Sequence, residues 1–141
     1  MKRVMLVLCL ALALVVAVPA ALSASRSYAV RAAGTVEDLT TNTYATFRID
    51  LRAGPGHKIV YTNPMTSTTF RALRLTSWTF SADTAKFDGI GLVNGRRVPF
   101  QVIAVAHPRT TGVFKIAWNG TAGHGGNVSF GRIRVTPIRA S

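Results

Sequence analysis

The chain is poor in cysteine, and its one cysteine, Cys9, lies within a long apolar run near the N-terminus. A disulfide needs two cysteines, so none can form within the chain. If the apolar run is a cleaved leader, the remaining protein also has no thiol chemistry. Packing and backbone hydrogen bonds are then expected to supply its stability.

Carboxylates are also scarce, since five Asp and Glu residues stand against 17 Lys and Arg. A glycosidase needs a pair of carboxyl groups, one of them with a raised pKa. The contexts of the five carboxylates favour structural roles instead: we interpret Glu37-Asp38 and Asp83 as turn residues, and the other two as charge partners of arginines. The five are Glu37, Asp38, Asp50, Asp83 and Asp88.

Catalytic and metal-binding motifs are missing as well. No serine lies in Gly-x-Ser-x-Gly, the strained turn that exposes the nucleophile of many hydrolases. His107 and His124 have no second ligand at metal spacing, and we interpret both as solvated loop residues. We therefore predict no catalytic residue, no metal, no cofactor and no enzymatic activity.

Helical periodicity is absent from residues 24–141, where apolar and polar residues alternate instead. The clearest case is residues 44–52, in which Phe47 and Ile49 alternate with Arg48 and Asp50. Turn signals recur about every 8–12 residues, which is typical of sandwiches and barrels. We predict an all-β fold, an antiparallel β-sandwich or barrel of about eight or nine strands, preceded by a helical signal peptide.

Asn94-Gly95 is the strongest turn signal in the chain. A type I′ turn needs positive φ at both central residues, which Asn and Gly tolerate. The sequence therefore predicts a hairpin with strands at residues 87–93 and 96–106. Pro99 predicts an edge or a bulge near the start of the second strand. The glycine-rich segment 119–126 predicts a loop before a last strand at residues 128–138.

The N-terminus has the organisation of a signal peptide. Lys2 and Arg3 precede the apolar run 4–18, which ends at Pro19 and is followed by small residues. The run is shorter than the ~20 residues that span a bilayer, and an uncleaved membrane anchor is the alternative. We predict a signal peptide at 1–23, cleaved before Ala24 or before Arg26, and a single all-β domain at 24–141. The protein is then secreted, extracellular or periplasmic, with no transmembrane segment after cleavage.

Positive charge dominates the rest of the chain. Loss of Lys2 and Arg3 with the leader lowers the formal net charge only from +12 to +10, and such a charge favours anionic partners. We predict a basic face formed by four arginines, with a diffusely charged surface as the alternative. They are Arg96, Arg97, Arg132 and Arg134. The expected partner is an anionic envelope polymer, lipid head groups or a partner protein. Nucleic acid is not expected, because no motif interleaves aromatic and basic residues.

Residues 78–138 contain a skeleton of aromatic, glycine and aliphatic positions. Its members are Phe80, residues 85–91, Val93-Asn94-Gly95, Phe100-Gln101-Val102, residues 113–116 and Gly126-Asn127-Val128. The skeleton resembles the small β-rich domain of secreted bacterial and archaeal proteins called the post-choice-of-anchor type. The resemblance implies an extracellular sandwich-like or barrel-like module without an established activity. Residues 107–111 depart from it, because they lack the carboxylates of a cation site.

Two functions are compatible with these patterns. The first is a non-catalytic secreted β-module that acts by surface binding at the cell envelope. The second is a carrier of a small ligand, with an apolar pocket inside a lipocalin-like barrel. Trp78 and Trp118 share strand faces with other apolar residues, so we interpret both as core residues rather than as a sugar-binding platform. A filled interior favours the first function, and an open apolar cavity favours the second.

Overall fold

Eight β-strands form the part of the chain that a computed structural model describes, residues 28–52, 57–119 and 123–138. The strands are β1 (Tyr28–Asp38), β2 (Thr43–Leu51), β3 (His57–Asn63), β4 (Thr68–Phe80), β5 (Thr84–Val93), β6 (Arg96–Val105), β7 (Val113–Trp118) and β8 (His124–Pro137). They form a closed antiparallel barrel. The all-β prediction is confirmed, and of its two architectures the barrel is the one observed. The predicted signal peptide at 1–23 lies outside the described residues.

Each strand pairs with the next along the chain, and β1 closes the barrel by pairing with β8. Alternation decides which side chains face inward. In β2, Phe47 and Ile49 are buried, whereas Arg48 between them is exposed. The sequence pattern that predicted a half-buried strand at this position is therefore confirmed.

β8 starts earlier than the sequence predicted, because part of the glycine-rich segment is strand rather than loop. Gly125 pairs with Lys115 and Gly126 pairs with Phe114 on β7. A Cβ at Gly125 would lie 2.3 Å from the carbonyl oxygen of Phe114, and Gly125 has a φ of +100°. Glycine thus permits a close pairing of strands in a segment whose composition alone is typical of a flexible loop.

Aromatic rings pack inside the barrel. Phe47 and Phe114 stack with their centroids 4.4 Å apart, and Phe70 lies parallel to Trp118 at 6.3 Å. Trp118 and Trp78 are partly buried and pack against the core, which confirms their interpretation as core residues. The large side chains of the described residues therefore occupy much of the space in which a barrel of this size could hold a ligand.

The hairpin between β5 and β6 has the predicted turn. Asn94 and Gly95 have φ values of 48° and 81°, as a type I′ turn requires. The Asn94 Oδ1 accepts a 2.8 Å hydrogen bond from the backbone N–H of Thr69, which ties the turn to β4. Pro99 precedes Phe100, the first residue of β6 that pairs with β7, so its missing N–H falls outside that ladder.

The two ends of the barrel carry different groups. The Asp38 end has the turns at residues 39–42, 64–67 and 94–95, and the Tyr28 end has the loops at 81–83 and 106–112. A buried polar cluster lies at the Asp38 end, and exposed arginines lie on the outer wall towards the Tyr28 end. None of the described residues belongs to a helix that is long and apolar enough to cross a membrane.

Candidate functional site

Five arginines on the outer wall of β8, β1 and β2 form the candidate site, the arginine face. They are Arg31, Arg48, Arg52, Arg132 and Arg134. Strand register brings them together. Arg31 lies directly opposite Arg134 on β8 and directly opposite Asp50 on β2. Residues directly opposite each other on paired strands project from the same side of the sheet, so these three side chains form one outward row across the strands.

A second outward row lies next to the first. Its centre is Ala33, which is directly opposite Arg132 on one side and Arg48 on the other. Two strand spacings separate these arginines, so their Cα atoms are about 10 Å apart. Because the alanine between them is small and exposed, the two guanidinium groups and that of Arg31 surround a gap in the surface.

Asp50 is the carboxylate of the arginine face. Its Oδ1 accepts a 3.1 Å hydrogen bond from Nε of Arg52, and its Oδ2 accepts one of 3.3 Å from Nη2. This bonding lowers the pKa of Asp50 against a smaller opposing effect of burial, and the charges of Arg31 and Arg48 lower it further. Asp50 therefore remains ionised, and its two oxygens are already engaged by one arginine.

The other four arginines make no salt bridge with a carboxylate of the described residues. They are Arg31, Arg48, Arg132 and Arg134. Like charges directly opposite each other on paired strands destabilise a sheet, and Arg31 faces Arg134 in this way. The arginine face therefore holds five positive charges against the one carboxylate of Asp50, and we expect the pairing of Arg31 with Arg134 to cost some stability.

Two surface cavities adjoin at the arginines of β8. The first, of about 470 Å³, lies between the five arginines over Ala33 and Ile49. The second, of about 520 Å³, lies towards the loop 106–112, and Pro108 contributes to its wall. Arg132 and Arg134 line both cavities. A long ligand can thus follow the surface across β8 without leaving these two depressions.

An exposed aromatic ring extends the same surface along β8. Phe130 is 76% exposed and lies directly opposite Thr35, two residues beyond Ala33 on β1. Phe130 is two residues before Arg132 on β8, so the two side chains occupy neighbouring outward positions of that strand. It offers an apolar contact beside the charged groups.

The structure brings together only half of the basic face that the sequence predicted. Arg132 and Arg134 lie on the arginine face. Arg96 and Arg97 lie at the start of β6, where they pair with Val93 and Leu92 of β5, and β7 separates them from β8. The predicted grouping of all four arginines is therefore not what the strand order produces.

Sequence reasoning did not assign Arg31, Arg48 and Arg52 to the site. Alternation had already placed Arg48 on the wet side of a strand, and this was the available signal. The missing information was that β1 closes the barrel against β8 and carries Arg31 between Arg134 and β2.

A buried polar cluster lies at the Asp38 end. Asp38 is fully buried as the last residue of β1. Its Oδ2 accepts a 2.7 Å hydrogen bond from the Tyr61 hydroxyl and lies 3.1 Å from Nδ1 of His124. Its Oδ1 accepts a 3.0 Å hydrogen bond from the backbone N–H of Thr40. The His124 ring stacks on Trp118, with centroids 4.4 Å apart.

Hydrogen bonding decides the charge of this cluster. Burial by itself raises the pKa of Asp38, but hydrogen bonds from Tyr61, His124 and the backbone of Thr40 and Gly125 outweigh it and lower the pKa to about 2. Burial, followed by the bond to Asp38, raises the pKa of Tyr61. Asp38 is therefore a carboxylate, and Tyr61 is its neutral donor.

Two sequence interpretations are wrong at this end. His124 is not a solvated loop residue, because it is the first residue of β8 and stacks on Trp118. Asp38 is not a turn residue, because it ends β1 with its side chain inside the barrel. Both errors have the same origin, since the strands continue through polar and glycine-rich sequence wherever hydrogen bonds compensate for burial.

The Asp38–His124 pair is the arrangement in which an aspartate orients a catalytic histidine. Such chemistry also needs a nucleophile within hydrogen-bond reach of the histidine. Among the described residues, the hydrogen-bonded partner of His124 is Asp38 itself, and no three potential ligands are grouped to hold a metal. The cluster fits a role in closing the barrel end.

Comparisons of the chain with family models, with curated proteins and with solved structures found no match.

Proposed function

We propose that this protein is a secreted, non-catalytic barrel module that binds an anionic polymer of the cell envelope through the arginine face. The observation that carries the proposal is the register of β8, β1 and β2, which places five arginines around one cavity. A guanidinium group offers several donors in a planar fork and remains charged at any physiological pH. The face is therefore a permanent donor surface for oxyanions.

The stability cost of the arginine face supports a binding role. Arg31 and Arg134 repel each other across paired strands, and the one carboxylate that lines the cavity, Asp50, is bonded to Arg52 and offsets the other positive charges only in part. Proteins commonly accept such local destabilisation where a ligand later compensates for it. A bound polyanion would remove the repulsion by placing negative charge between the guanidinium groups.

The shape of the surface favours a polymer over a small ion. Two adjoining cavities of about 470 and 520 Å³ share Arg132 and Arg134. Each has the volume of an ordinary ligand pocket, which is about 300–1,000 Å³. An extended chain can occupy both at once, and the exposed ring of Phe130 supplies an apolar contact for uncharged parts of its repeating unit.

The alternative function, a carrier with an apolar pocket inside the barrel, has less support. The barrel itself is compatible with it. However, stacked rings occupy the interior, and the cavities at the arginine face lie on the outer wall, where arginines are prominent in the lining. These observations favour the outer wall as the binding surface.

The proposal is tested by fluorescence anisotropy with labelled polyphosphate and labelled polyglutamate over a salt series. We expect both polymers to bind at low salt and to dissociate near 1 M salt, where the screening length falls to about 3 Å. The Arg132→Ala, Arg134→Ala double variant should bind roughly tenfold more weakly, since each exposed ionic contact contributes up to about 1 kcal/mol.

The matched control is the Arg96→Ala, Arg97→Ala double variant, which loses the same charge at the other end of the barrel. It should bind within about twofold of the unmodified protein. Equal losses in the two double variants would mean that the charge acts diffusely and the arginine face is not the site. Absence of binding to both polymers at low salt would overturn the proposed function. Tighter binding to phosphatidylglycerol vesicles than to either polymer would assign lipid head groups instead.

A further inference from the structure

The gap over Ala33 has a donor arrangement that selects among anions. Arg132 and Arg48 flank Ala33 from the two neighbouring strands, and Arg31 lies two residues away on the same strand and the same side. Donors therefore approach the gap from three directions. We infer that it is a subsite for a phosphate group and that the polymer bound by the arginine face carries phosphodiester groups; this rests on the proposed function.

Geometry separates a phosphate from a carboxylate at this place. A carboxylate is planar, and one arginine fork satisfies both of its oxygens, as Arg52 does for Asp50 on the same face. A phosphate group is tetrahedral, so its oxygens point in different directions and accept hydrogen bonds from several arginines at once. Three arginines around one gap therefore match phosphate better than carboxylate.

The size of residue 33 is what keeps the gap open. Ala33 is exposed, and the side chains opposite it in both neighbouring strands are arginines. A longer residue would project into the space between Arg48 and Arg132, where the phosphate is expected. Such a residue would leave every charge of the arginine face unchanged, so shape and charge can be tested separately.

The volume of the cavity indicates a phosphate within a larger molecule. A space of about 470 Å³ accommodates more than one isolated phosphate group. It continues across Arg132 and Arg134 into the second cavity, whose lining is mixed and includes Ile133, Pro108 and the carboxylate of Asp83. A phosphate group over Ala33 with an uncharged unit beside it, repeated along a chain, fits a basic cavity that adjoins a less basic one.

The test compares labelled polyphosphate with labelled polyglutamate at one ionic strength, for the unmodified protein, for Ala33→Leu and for Ala33→Ser. We expect the unmodified protein to prefer polyphosphate by about tenfold, because several charge-assisted bonds form at one phosphate. Ala33→Leu should reduce this preference to about twofold or less while its affinity for polyglutamate stays within about twofold. Ala33→Ser keeps a small side chain and should keep the preference.

The control variant and the second polymer give every outcome a meaning. Polyphosphate has a higher charge density than polyglutamate, so a preference that survives in Ala33→Leu reflects charge density and overturns the subsite. Equal binding of both polymers by the unmodified protein also overturns the subsite but leaves the proposed function standing.

Failure of both polymers to bind overturns the proposed function itself. Tighter binding of single-stranded oligothymidine than of polyphosphate would agree with a phosphodiester subsite but would assign nucleic acid instead of an envelope polymer, and so would overturn the proposed function. Circular dichroism of Ala33→Leu and Ala33→Ser should match that of the unmodified protein.

Discussion

Asp38 places a full negative charge inside the wall of a barrel whose buried side chains are mostly apolar. An uncompensated buried charge is strongly destabilising. Here the Tyr61 hydroxyl, the His124 ring and the Thr40 backbone N–H surround the two carboxylate oxygens. Both carboxylate oxygens are thus hydrogen-bonded. The partners lie on β3, on β8 and in the turn after β1, and these bonds offset the hydration that the carboxylate loses on burial.

Removing one of these bonds is expected to destabilise the fold. We predict that Tyr61→Phe lowers the free energy of unfolding by about 1–3 kcal/mol, because a buried carboxylate loses a 2.7 Å hydrogen bond. The matched control is Tyr44→Phe, since Tyr44 is 59% exposed, and its effect should stay within about 0.5 kcal/mol. Urea denaturation of the three proteins measures the difference. Similar effects of the two substitutions would mean that the hydroxyl of Tyr61 is not bonded to Asp38.

The ionisation of Asp38 predicts a specific loss of stability in acid. Its pKa is about 2 in the folded protein and about 3.8 otherwise. A lowered folded-state pKa gives stability that is fully present above pH 4 and disappears as the pH falls through 2. The difference of almost two pKa units corresponds to about 2 kcal/mol.

The measurement is urea denaturation of the unmodified protein and of Asp38→Asn between pH 2 and pH 7. Asparagine keeps the shape of the side chain but carries no charge at any pH. We expect a gap in unfolding free energy of about 2 kcal/mol at pH 7 that narrows below pH 4. A gap that is constant with pH would show that the charge of Asp38 does not contribute.

Among the elements, the β5–β6 hairpin shows most clearly how two residues, Asn94 and Gly95, determine a turn. Gly95 has a φ of +81°, and a Cβ at this position would meet nothing within 4 Å. Gly95→Val therefore adds backbone strain without a steric clash. We predict a loss of about 1–2 kcal/mol, since a side-chain-bearing residue resists positive φ.

Gly95→Asn is the control for this prediction, because asparagine tolerates the left-handed region better than valine. Thermal melts of the three proteins should rank the unmodified protein first, then Gly95→Asn, then Gly95→Val. A Gly95→Val variant that melts with the unmodified protein would mean that the turn relaxes to a different type.

Sequence patterns predicted individual elements well where alternation was strong. The second strand of the hairpin, predicted at residues 96–106, is β6 at Arg96–Val105, and the hairpin turn has its predicted φ values. The start of β8 was not predictable in the same way, because Gly125 and Gly126 have no side chain to show a period. Their strand character comes from pairing with β7, which is a tertiary effect.

At the scale of the whole molecule, barrel closure was the part that local patterns did not contain. Alternation predicts that a strand has two faces but not which strand lies beside it. The position of Arg31 between Arg134 and Asp50 depends on closure, and so does the contact between Asp38 and His124. The arginine face was therefore predicted only in part, through Arg132 and Arg134, and the buried cluster was not predicted at all.

The pairing of β1 with β8 also determines when the barrel can close during folding. A chain is synthesised from its N-terminus, so β1 leaves the ribosome long before β8, and until then it presents an unpaired edge. The contacts that close the barrel join residues as far apart as Tyr28 and Pro137, and such distant pairings form slowly. Arg31 and Arg134 therefore become neighbours only when β1 pairs with β8 and the barrel closes. An unfolded chain carries the charges of the arginine face but not the face itself, so the proposed binding of a polyanion requires the closed barrel.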